Sequence, residues 1–227
     1  MKFGSITTGI ITDGLVFNMD AANRACYPKT GTTATDTIGN TSGTLNGATF
    51  QNTNSGVFNF DGTDDSISLG NAAQAPNTQP GAQFTFSSWI YPTSNVSWSA
   101  ILGAASTNQL FIGYSSSNTF VVRKLNMANI ISYSTLPSDS TWTNICVTRD
   151  SNSLITLYYD AVSKSTATDS IDFTDGNNYI GNDGGNGADW YGNIGPINYY
   201  NRALSASEVL HNYNALKGRF GLWNSDL

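Results

Sequence analysis

The chain consists largely of short segments in which apolar and polar residues alternate, separated by turns rich in Gly, Asn, Asp and Ser. Alternation with a period of two predicts strands that bury one face. Phe84–Pro92 is a clear example, because its apolar residues alternate along one face and it ends at a proline. The predicted strands are Gly14–Asp20, Thr44–Phe50, Val57–Phe60, Ser66–Gly70, Phe84–Pro92, Ala100–Ala104, Gln109–Tyr114, Thr119–Leu125, Ile130–Ser134, Trp142–Arg149, Leu154–Tyr159, Tyr179–Gly181 and the aromatic segment that begins at Trp190.

One segment near the C-terminus has a helical period instead. Ser205 is a predicted N-cap, and Glu208 stands three residues later, which is the spacing of a capping box. Leu204 and Val209 occupy the two positions of a hydrophobic staple around this cap. An apolar stripe follows at helical spacing and consists of Val209, Leu210, Tyr213 and Leu216. We predict a helix of about 12 residues that ends at Gly218 as the C-cap.

About a dozen strands and one late helix, without alternation of strands and helices, predict an all-β fold. We expect two antiparallel sheets packed as a sandwich or jelly roll, with the helix laid across one end. A chain of 227 residues suits a single domain of this kind. We divide it into an N-terminal arm at 1–12, the jelly-roll domain at 13–218, and a C-terminal tail or final strand at 219–227. Residues 21–43 are expected to form a long loop.

The charge of the chain narrows the classes of function. Charged residues make up 11% of the sequence, against about 25% in an average globular protein. The net charge is −6 and the Lys and Arg residues are scattered, which argues against nucleic-acid binding. No apolar run is long enough to cross a membrane, and the N-terminus lacks the apolar core of a signal peptide. We therefore expect a protein that works inside a cell or leaves it by a route other than secretion, and assembly into a particle released by lysis is one such route.

The residues of common catalytic sites are scarce. Glu208 is the only glutamate and His211 the only histidine, and both lie in the predicted helix. A glycosidase needs two carboxylates on one concave face, and no pair of acidic residues stands at alternate positions of a predicted strand. An aspartate pair contributed by separate segments stays open. Zinc ligands and a phosphate-binding loop are also missing from the sequence. We expect no enzymatic activity.

The two cysteines lie far apart in the sequence. Cys146 occupies an alternating apolar strand, and Cys26 lies in a loop beside Tyr27. A chain without a signal peptide gives little reason to expect a disulfide between them. We predict two free thiols, with a disulfide as the alternative.

Several short motifs, each of which occurs once, follow one another along nearly the whole chain. They are Gly14–Val16 with Asp20, Phe60–Asp65, Phe84–Pro92, Trp142 with Val147 and Thr148, Leu157–Tyr158, Ile180–Gly181, Gly192–Ile194 and Tyr200–Glu208. Their order resembles that of the laminin-G-like (LamG) jelly rolls of the concanavalin A-like lectin/glucanase superfamily. The resemblance implies two curved antiparallel sheets, but no single activity, because this fold carries many functions. One departure is Tyr159–Ala161, where the family usually has an Asn-Gly hairpin turn.

The resemblance and the acidic residues together suggest a calcium site. Asp61, Asp64 and Asp65 offer carboxylate oxygens close together, which calcium prefers. LamG-like folds often carry a calcium at one edge, with a further aspartate from another loop, and Asp183 or Asp189 would supply it here. The alternative is a solvated hairpin turn in which the aspartates cap backbone amides.

A second candidate site would bind carbohydrate. Sugar binding needs aromatic faces for stacking and Asn or Asp side chains for the hydroxyl groups. The loop 177–191 has this composition. Its candidate residues are Asn182, Asp183, Asn186, Asp189, Trp190 and Tyr191. The segment Ser94–Trp98 is similar in composition, and the alternative for Trp190 is a place in the core.

The resemblance extends to short stand-alone jelly rolls among the structural proteins of tailed bacteriophages. It implies a non-enzymatic virion protein that decorates a capsid or forms part of a tail or fibre, assembled in the host cytoplasm. Its partners would be other virion proteins, further copies of itself and a host-surface glycan, with no nucleic acid and no membrane insertion. The alternative is a stand-alone, calcium-dependent carbohydrate-binding or adhesion module.

Overall fold

The computed structural model describes most of the chain as one set of packed strands. The described residues are 9–39, 41–70, 82–94, 97–116, 118–170, 172–174, 176–185 and 187–222. Within them the chain forms sixteen strands in two antiparallel sheets, followed by one α-helix and a 3₁₀ turn. No described helix is both long enough and apolar enough to span a bilayer.

The strands are short, as the alternating pattern predicts. They are β1 (Leu15–Met19), β2 (Thr33–Thr35), β3 (Ser42–Asn46), β4 (Thr49–Gln51), β5 (Val57–Asp61), β6 (Ser66–Gly70), β7 (Phe84–Pro92), β8 (Ser99–Ala104), β9 (Leu110–Tyr114), β10 (Phe120–Lys124), β11 (Asn129–Tyr133), β12 (Thr143–Arg149), β13 (Leu154–Tyr159), β14 (Val162–Thr168), β15 (Asn178–Ile180) and β16 (Tyr191–Tyr200). The helix α1 spans Ala206–Leu216. The predicted all-β sandwich with one short C-terminal helix is therefore confirmed.

The two sheets contain eight strands each. The first sheet has the order β14-β13-β12-β7-β16-β5-β4, and β1 pairs with β16 as well. The second sheet has the order β11-β10-β9-β8-β15-β6-β3-β2. In the middle of each sheet, neighbours such as β7 and β16 or β8 and β15 come from distant parts of the chain, so the pairing brings together loops that are far apart in the sequence.

The main core lies between the two sheets and is rich in aromatic residues. Phe58 and Phe60 from the first sheet and Ile67 and Ile112 from the second are fully buried in it. Burial of each such side chain contributes about 1.5–3 kcal/mol. The alternation seen in the sequence thus reports which residues face the opposite sheet.

The outer face of the first sheet is covered by α1 and the residues after it. Val209 packs with Cys146, Tyr158 and Tyr200 on this face. Strand β7 is therefore buried on both sides and reads as an almost continuous buried segment. Both cysteines are buried and free, as expected, and burial raises the pKa of Cys26 to about 11.

The helix α1 starts where the sequence predicts, but it does not end as predicted. Ser205 and Glu208 form the predicted capping box. Gly218 is not the C-cap, because the chain continues as a 3₁₀ turn over Lys217–Phe220 and the left-handed residue is Gly221, with φ 78°. Continuing the turn buries Phe220, whose ring stacks on Trp89 at 4.4 Å between centroids. The aromatic contact outweighs the local preference to stop at glycine 218.

Residues 219–222, the described part of the predicted tail, do not form the strand suggested for 219–227. Arg219 pairs with Asp20 at 2.7 Å, and Phe220 is enclosed by Trp89 and Trp142, so this segment is packed against the domain. Residues 223–227 lie outside the described residues. So do residues 1–8 of the predicted arm. The described part of the arm contacts α1, because the Ile11 amide donates to Asn212 Oδ1 at 2.8 Å.

Three strand predictions need correction. The expected loop 21–43 contains β2, and the long edge strand β14 was not predicted at all. Both strands are polar and half exposed at sheet edges, so their sequences lack the apolar alternation that marks a buried strand. The predicted strand Thr44–Phe50 is split at Gly47, with φ 75°, into β3 and β4, which belong to different sheets.

Candidate functional site

The acidic hairpin turn between β5 and β6 has a fixed local geometry. Asp65 Oδ2 accepts a hydrogen bond from the Asp61 amide at 2.9 Å, and Asp61 Oδ1 accepts one from the Thr63 amide at 2.8 Å. These bonds curl the turn so that the carboxylates of Asp61, Asp64 and Asp65 face one another. One oxygen from each lies within 4.8 Å of the others. Such a cluster offers hard oxygen ligands of the kind that calcium takes.

The described residues of the glycine-rich loop 182–189 after β15, which are 182–185 and 187–189, lie over the outer face of the second sheet. The Ala100 amide of β8 donates to the Ala188 carbonyl at 3.0 Å and anchors the loop to this face. Asn182 Oδ1 accepts from the Gly185 amide at 2.9 Å, and its amide nitrogen donates to Asp189. The approach is close at Gly103, where a Cβ would stand 1.9 Å from the Asn182 carbonyl oxygen. The second sheet thus carries this loop only because position 103 has no side chain.

The loop brings a fourth carboxylate to the acidic turn. Burial, and then the charges of Asp183, Asp64 and Asp61, raise the pKa of Asp189. Burial is also the main cause that raises the pKa of Asp65, and Asp189 is among the charges that add to it. Of the two loop aspartates considered from the sequence, Asp189 is the one whose charge is among the causes that raise the pKa of Asp65. Asp183 acts on Asp189 and faces a different cleft.

Two surface clefts flank this loop. The first, which we call the acidic cleft, has a volume of about 430 Å³. It is lined by Asn46, Thr63, Asp64, Ser66, Tyr179, Asn182, Gly184, Gly185, Gly187 and Asp189. The second, which we call the tryptophan cleft, has a volume of about 270 Å³. It is lined by Trp98, Arg123, Leu125, Asn126, Asp183, Gly187 and Ala188.

The tryptophan cleft presents a half-buried aromatic ring. The Arg123 guanidinium lies 5.1 Å from the centre of the Trp98 ring, and Phe111 meets the same ring edge-on at 6.3 Å. Beneath them, Ala100, Phe111, Val121 and Ala188 form a small apolar cluster on the outer face of the second sheet. Trp98 is therefore supported from below and held in place.

The structure separates the residues that the sequence grouped into one sugar site. Trp190 was predicted to stack on a sugar, and this is wrong, because its ring is 1% exposed and packs against Tyr114 in the main core. The alternative prediction, a core position, is what the structure has. Tyr191 is 38% exposed but lines neither cleft. Asn186 lies outside the described residues, as do two residues of the segment Ser94–Trp98. Trp98, the last residue of that segment, lines the tryptophan cleft.

Other residues of the clefts could not be found from the sequence. Asn46, Tyr179 and Arg123 come from three strands and reach the clefts only through sheet pairing. Asn126 follows β10, and the sequence around it gives no indication of a binding site either. The residues that the sequence did indicate are Trp98, in the polar segment Ser94–Trp98, and Asp64, Asn182, Asp183 and Asp189.

Glu208 and His211 lie on the opposite side of the molecule. Glu208 receives two hydrogen bonds from Arg202, at 2.9 and 2.6 Å, and these lower its pKa to about 2. A carboxylate that stays ionised at neutral pH cannot donate a proton as a general acid. His211 Nε2 contacts the Gly9 carbonyl oxygen at 2.9 Å. Both residues hold the helix and the arm in place.

The fold and the matched sequence assign the chain to a family. The model of the concanavalin A-like lectin/glucanases superfamily, of the laminin G type, matches residues 61–210, which is more than half of the chain. The protein belongs to this superfamily, as the order of its sequence motifs suggested. No curated protein sequence matches the chain.

Solved structures share the fold at low sequence identity. Domain 4 of AbnA, an extracellular GH43 arabinanase of Geobacillus stearothermophilus solved with arabinotriose, has a TM-score of 0.65 and 16% identity. The match covers 89% of this chain and 98% of that one. The binding domain of Paraclostridial Mosquitocidal Protein 1 has a TM-score of 0.70 and 19% sequence identity, and the match covers 89% of this chain and 52% of that one. Trypanosoma rangeli sialidase has a TM-score of 0.70 and 15% sequence identity, and the match covers 92% of this chain but 33% of the enzyme.

Proposed function

We propose that this protein is a non-catalytic carbohydrate-binding module whose ligand lies in the two clefts beside loop 182–189. The observation that carries the proposal is the half-buried Trp98 ring, which stands next to a cleft lined by Asn, Asp, Ser and Tyr side chains. A sugar ring has an apolar face that packs on an aromatic ring and hydroxyl groups that need hydrogen-bond partners. Domain 4 of AbnA, a structural relative solved with arabinotriose, gives the proposal further support.

Calcium forms part of this proposal. Asp61, Asp64 and Asp65 would hold the ion, with Asp189 as the ligand from the neighbouring loop. These residues fit a hard cation because their carboxylates converge and because burial and mutual repulsion already raise the pKa of Asp65 and Asp189. The ion would relieve this repulsion and tie the turn to the loop that separates the clefts.

The role in a virion stays a second proposal. It is supported by the resemblance of the sequence to short jelly rolls among the structural proteins of tailed bacteriophages. The carbohydrate site and the virion role are compatible, since a particle protein can display a glycan-binding surface. Mass spectrometry of purified particles tests it, and a protein found only outside particles contradicts it.

Substitution of the half-buried Trp98 tests the main proposal. Trp98→Ala removes the stacking surface and is expected to weaken glycan binding at least tenfold, since loss of a central aromatic contact costs about 2 kcal/mol or more. Glycan-array binding followed by calorimetry on the best ligand measures the change. Leu210→Ala is the matched control, because Leu210 is an exposed apolar residue on the opposite, helix-covered side.

Two results would contradict the proposal. One is a glycan array without any ligand, both with calcium and with EDTA. The other is a ligand whose affinity is the same for wild type, Trp98→Ala and Leu210→Ala.

For calcium, the melting temperature of the protein should rise with added calcium and fall with EDTA, as expected for an ion that binds the folded state only. An unchanged melting temperature removes calcium from the proposal.

A further inference from the structure

The two clefts are surrounded by carboxylates. Five aspartates line the clefts or stand directly behind their walls, namely Asp61, Asp64, Asp65, Asp183 and Asp189. Among the described residues that line either cleft, Arg123 is the one cation. The walls of the clefts are therefore strongly negative.

Arg123 does little to offset this charge. Its Nε donates to the Lys124 carbonyl at 3.4 Å and its Nη2 to the Met127 carbonyl at 2.6 Å. The guanidinium carbon lies 5.1 Å from the centre of the Trp98 ring, and Asp183 lines the same cleft. The guanidinium is thus held beside the tryptophan ring, and the aspartates around the two clefts outnumber its single positive charge.

The carboxylates already repel one another. Carboxylate oxygens of Asp61, Asp64 and Asp65 lie within 4.8 Å of one another, and Asp189 lines the same cleft as Asp64. A ligand with a carboxylate or sulfate group would add a further negative charge at the same place. A bound divalent cation would neutralise two of the five carboxylates, so the walls stay negative with or without calcium.

An uncharged sugar meets complementary groups instead. Ionised carboxylates only accept hydrogen bonds, and sugar hydroxyl groups donate them. Asn46, Asn182 and Tyr179 add side chains that can both donate and accept. Gly187 lines both clefts and has no side chain that would separate them. A chain of sugar units can therefore pass from one cleft to the other over this glycine.

Building on the proposed carbohydrate-binding function, we infer that the ligand is an uncharged oligosaccharide that crosses Gly187. One sugar ring lies in the acidic cleft and another stacks on Trp98 in the tryptophan cleft. Glycans that carry uronic acid, sialic acid or sulfate groups at these units are excluded by charge.

A matched pair of ligands tests this inference. Neutral oligosaccharides and the same oligosaccharides after oxidation of their C6 hydroxyl groups to carboxylates are titrated into the protein, with calcium and with EDTA. The neutral form should bind at least tenfold more tightly than the oxidised form, and this ratio of affinities should shrink as salt screens the repulsion. The substitution Asp64→Asn should also lower the ratio of affinities. Asp139→Asn, an equal charge change at an exposed residue that lines neither cleft, should leave it unchanged.

The outcomes separate this inference from the function on which it rests. Equal or tighter binding of the oxidised oligosaccharide overturns the exclusion of charged glycans, but leaves carbohydrate binding in place. Monosaccharides that bind as tightly as the oligosaccharide overturn the crossing at Gly187. If neither the neutral nor the oxidised form binds, both the inference and the proposed function are wrong.

Discussion

Trp98 and Trp190 stand in similar polar surroundings in the sequence, yet they have different roles. Trp190 precedes β16 and points between the sheets, where it packs against Tyr114. Trp98 precedes β8 and stands on the outer face of the second sheet beside Arg123. Truncation of a buried tryptophan costs about 3–5 kcal/mol, so a loss of binding in Trp190→Ala would report unfolding. Trp98 is the residue at which binding can be tested.

The turn between β13 and β14 shows strain at a single residue. Tyr159 pairs with Val162, and the two residues between them, Asp160 and Ala161, have φ angles of 49° and 62°. This is the geometry of a two-residue hairpin turn that favours Asn-Gly. The chain therefore keeps the turn that its family resemblance predicts, although it has Asp-Ala in place of Asn-Gly. Alanine in this region costs roughly 1–2 kcal/mol relative to the right-handed region.

Ala161→Gly is therefore expected to stabilise the protein. Relief of the left-handed strain exceeds the extra entropy that glycine gains in the unfolded chain, so we expect a gain of about 0.5–1 kcal/mol. Urea unfolding measures it. Ala167→Gly is the matched control, because Ala167 lies within β14 and is not among the residues with a positive φ angle, so the same change there relieves no strain and should destabilise. A loss of stability in Ala161→Gly would contradict the prediction.

At the scale of elements, the start of α1 is set by short-range chemistry. Ser205 Oγ accepts from the Glu208 amide, and Glu208 accepts from the Ser205 amide at 2.8 Å. Arg202 lies in the turn between β16 and α1 and pairs with the same carboxylate at 2.6 Å. One glutamate therefore joins the helix cap to the end of the strand before it. All of these groups lie within seven residues of one another, so the sequence pattern alone is sufficient to predict the cap.

Glu208→Gln is expected to destabilise the protein by about 1 kcal/mol at neutral pH, in the range of a lost cap and a partly exposed ion pair. The pKa of Glu208 is lowered from 4.5 to about 2 in the folded protein. Its contribution is therefore complete above pH 4.5 and is lost as the pH falls towards 2. Urea unfolding of both proteins across this range should show the difference in unfolding free energy shrinking with acidity. A difference that stays constant would contradict the assigned role of the carboxylate.

At the scale of the whole molecule, buried ion pairs connect the two sheets at one end. Lys124 of β10 in the second sheet is in direct contact with Asp169, which follows β14 of the first sheet. Arg149 of β12 donates to the Asp169 carbonyl at 3.0 Å and pairs with Asp172 at 3.4 Å. Both cations lie within 6 Å of the Phe173 ring, at 5.1 and 5.8 Å. The segment around Phe173 is thus clamped across the end of the sandwich.

Asp169→Ala is expected to cost about 3 kcal/mol, because the buried ammonium of Lys124 loses this carboxylate. Replacing both partners by apolar residues, as Lys124→Met with Asp169→Leu, should recover most of the loss, since no buried charge is then exposed to an apolar environment. Urea unfolding of the three proteins measures the effect. A double variant that is no more stable than Asp169→Ala would contradict this account of the clamp.

Much of the architecture could be predicted from the sequence because its causes are local. Alternating or nearly continuous apolar segments mark strands, so most strands were found, including β7 and β12, which are buried on both faces. The helix start was found because its cap residues are neighbours in the chain. The polar edge strands β2 and β14 were missed, since pairing with a neighbour, rather than burial, defines them.

What only the tertiary structure decided concerns contacts between distant segments. Pairing of β15 with β6 and β8 places loop 182–189 beside the acidic turn and over the outer face of the second sheet. The same pairing brings Asp189 to the acidic turn, while the direction of each side chain buries Trp190 and leaves Trp98 at the surface. The sequence by itself determined the class of fold, the helix cap and the scarcity of catalytic groups. The position of the binding surface was decided by which strands pair, because pairing partners are chosen by the packing of the whole core.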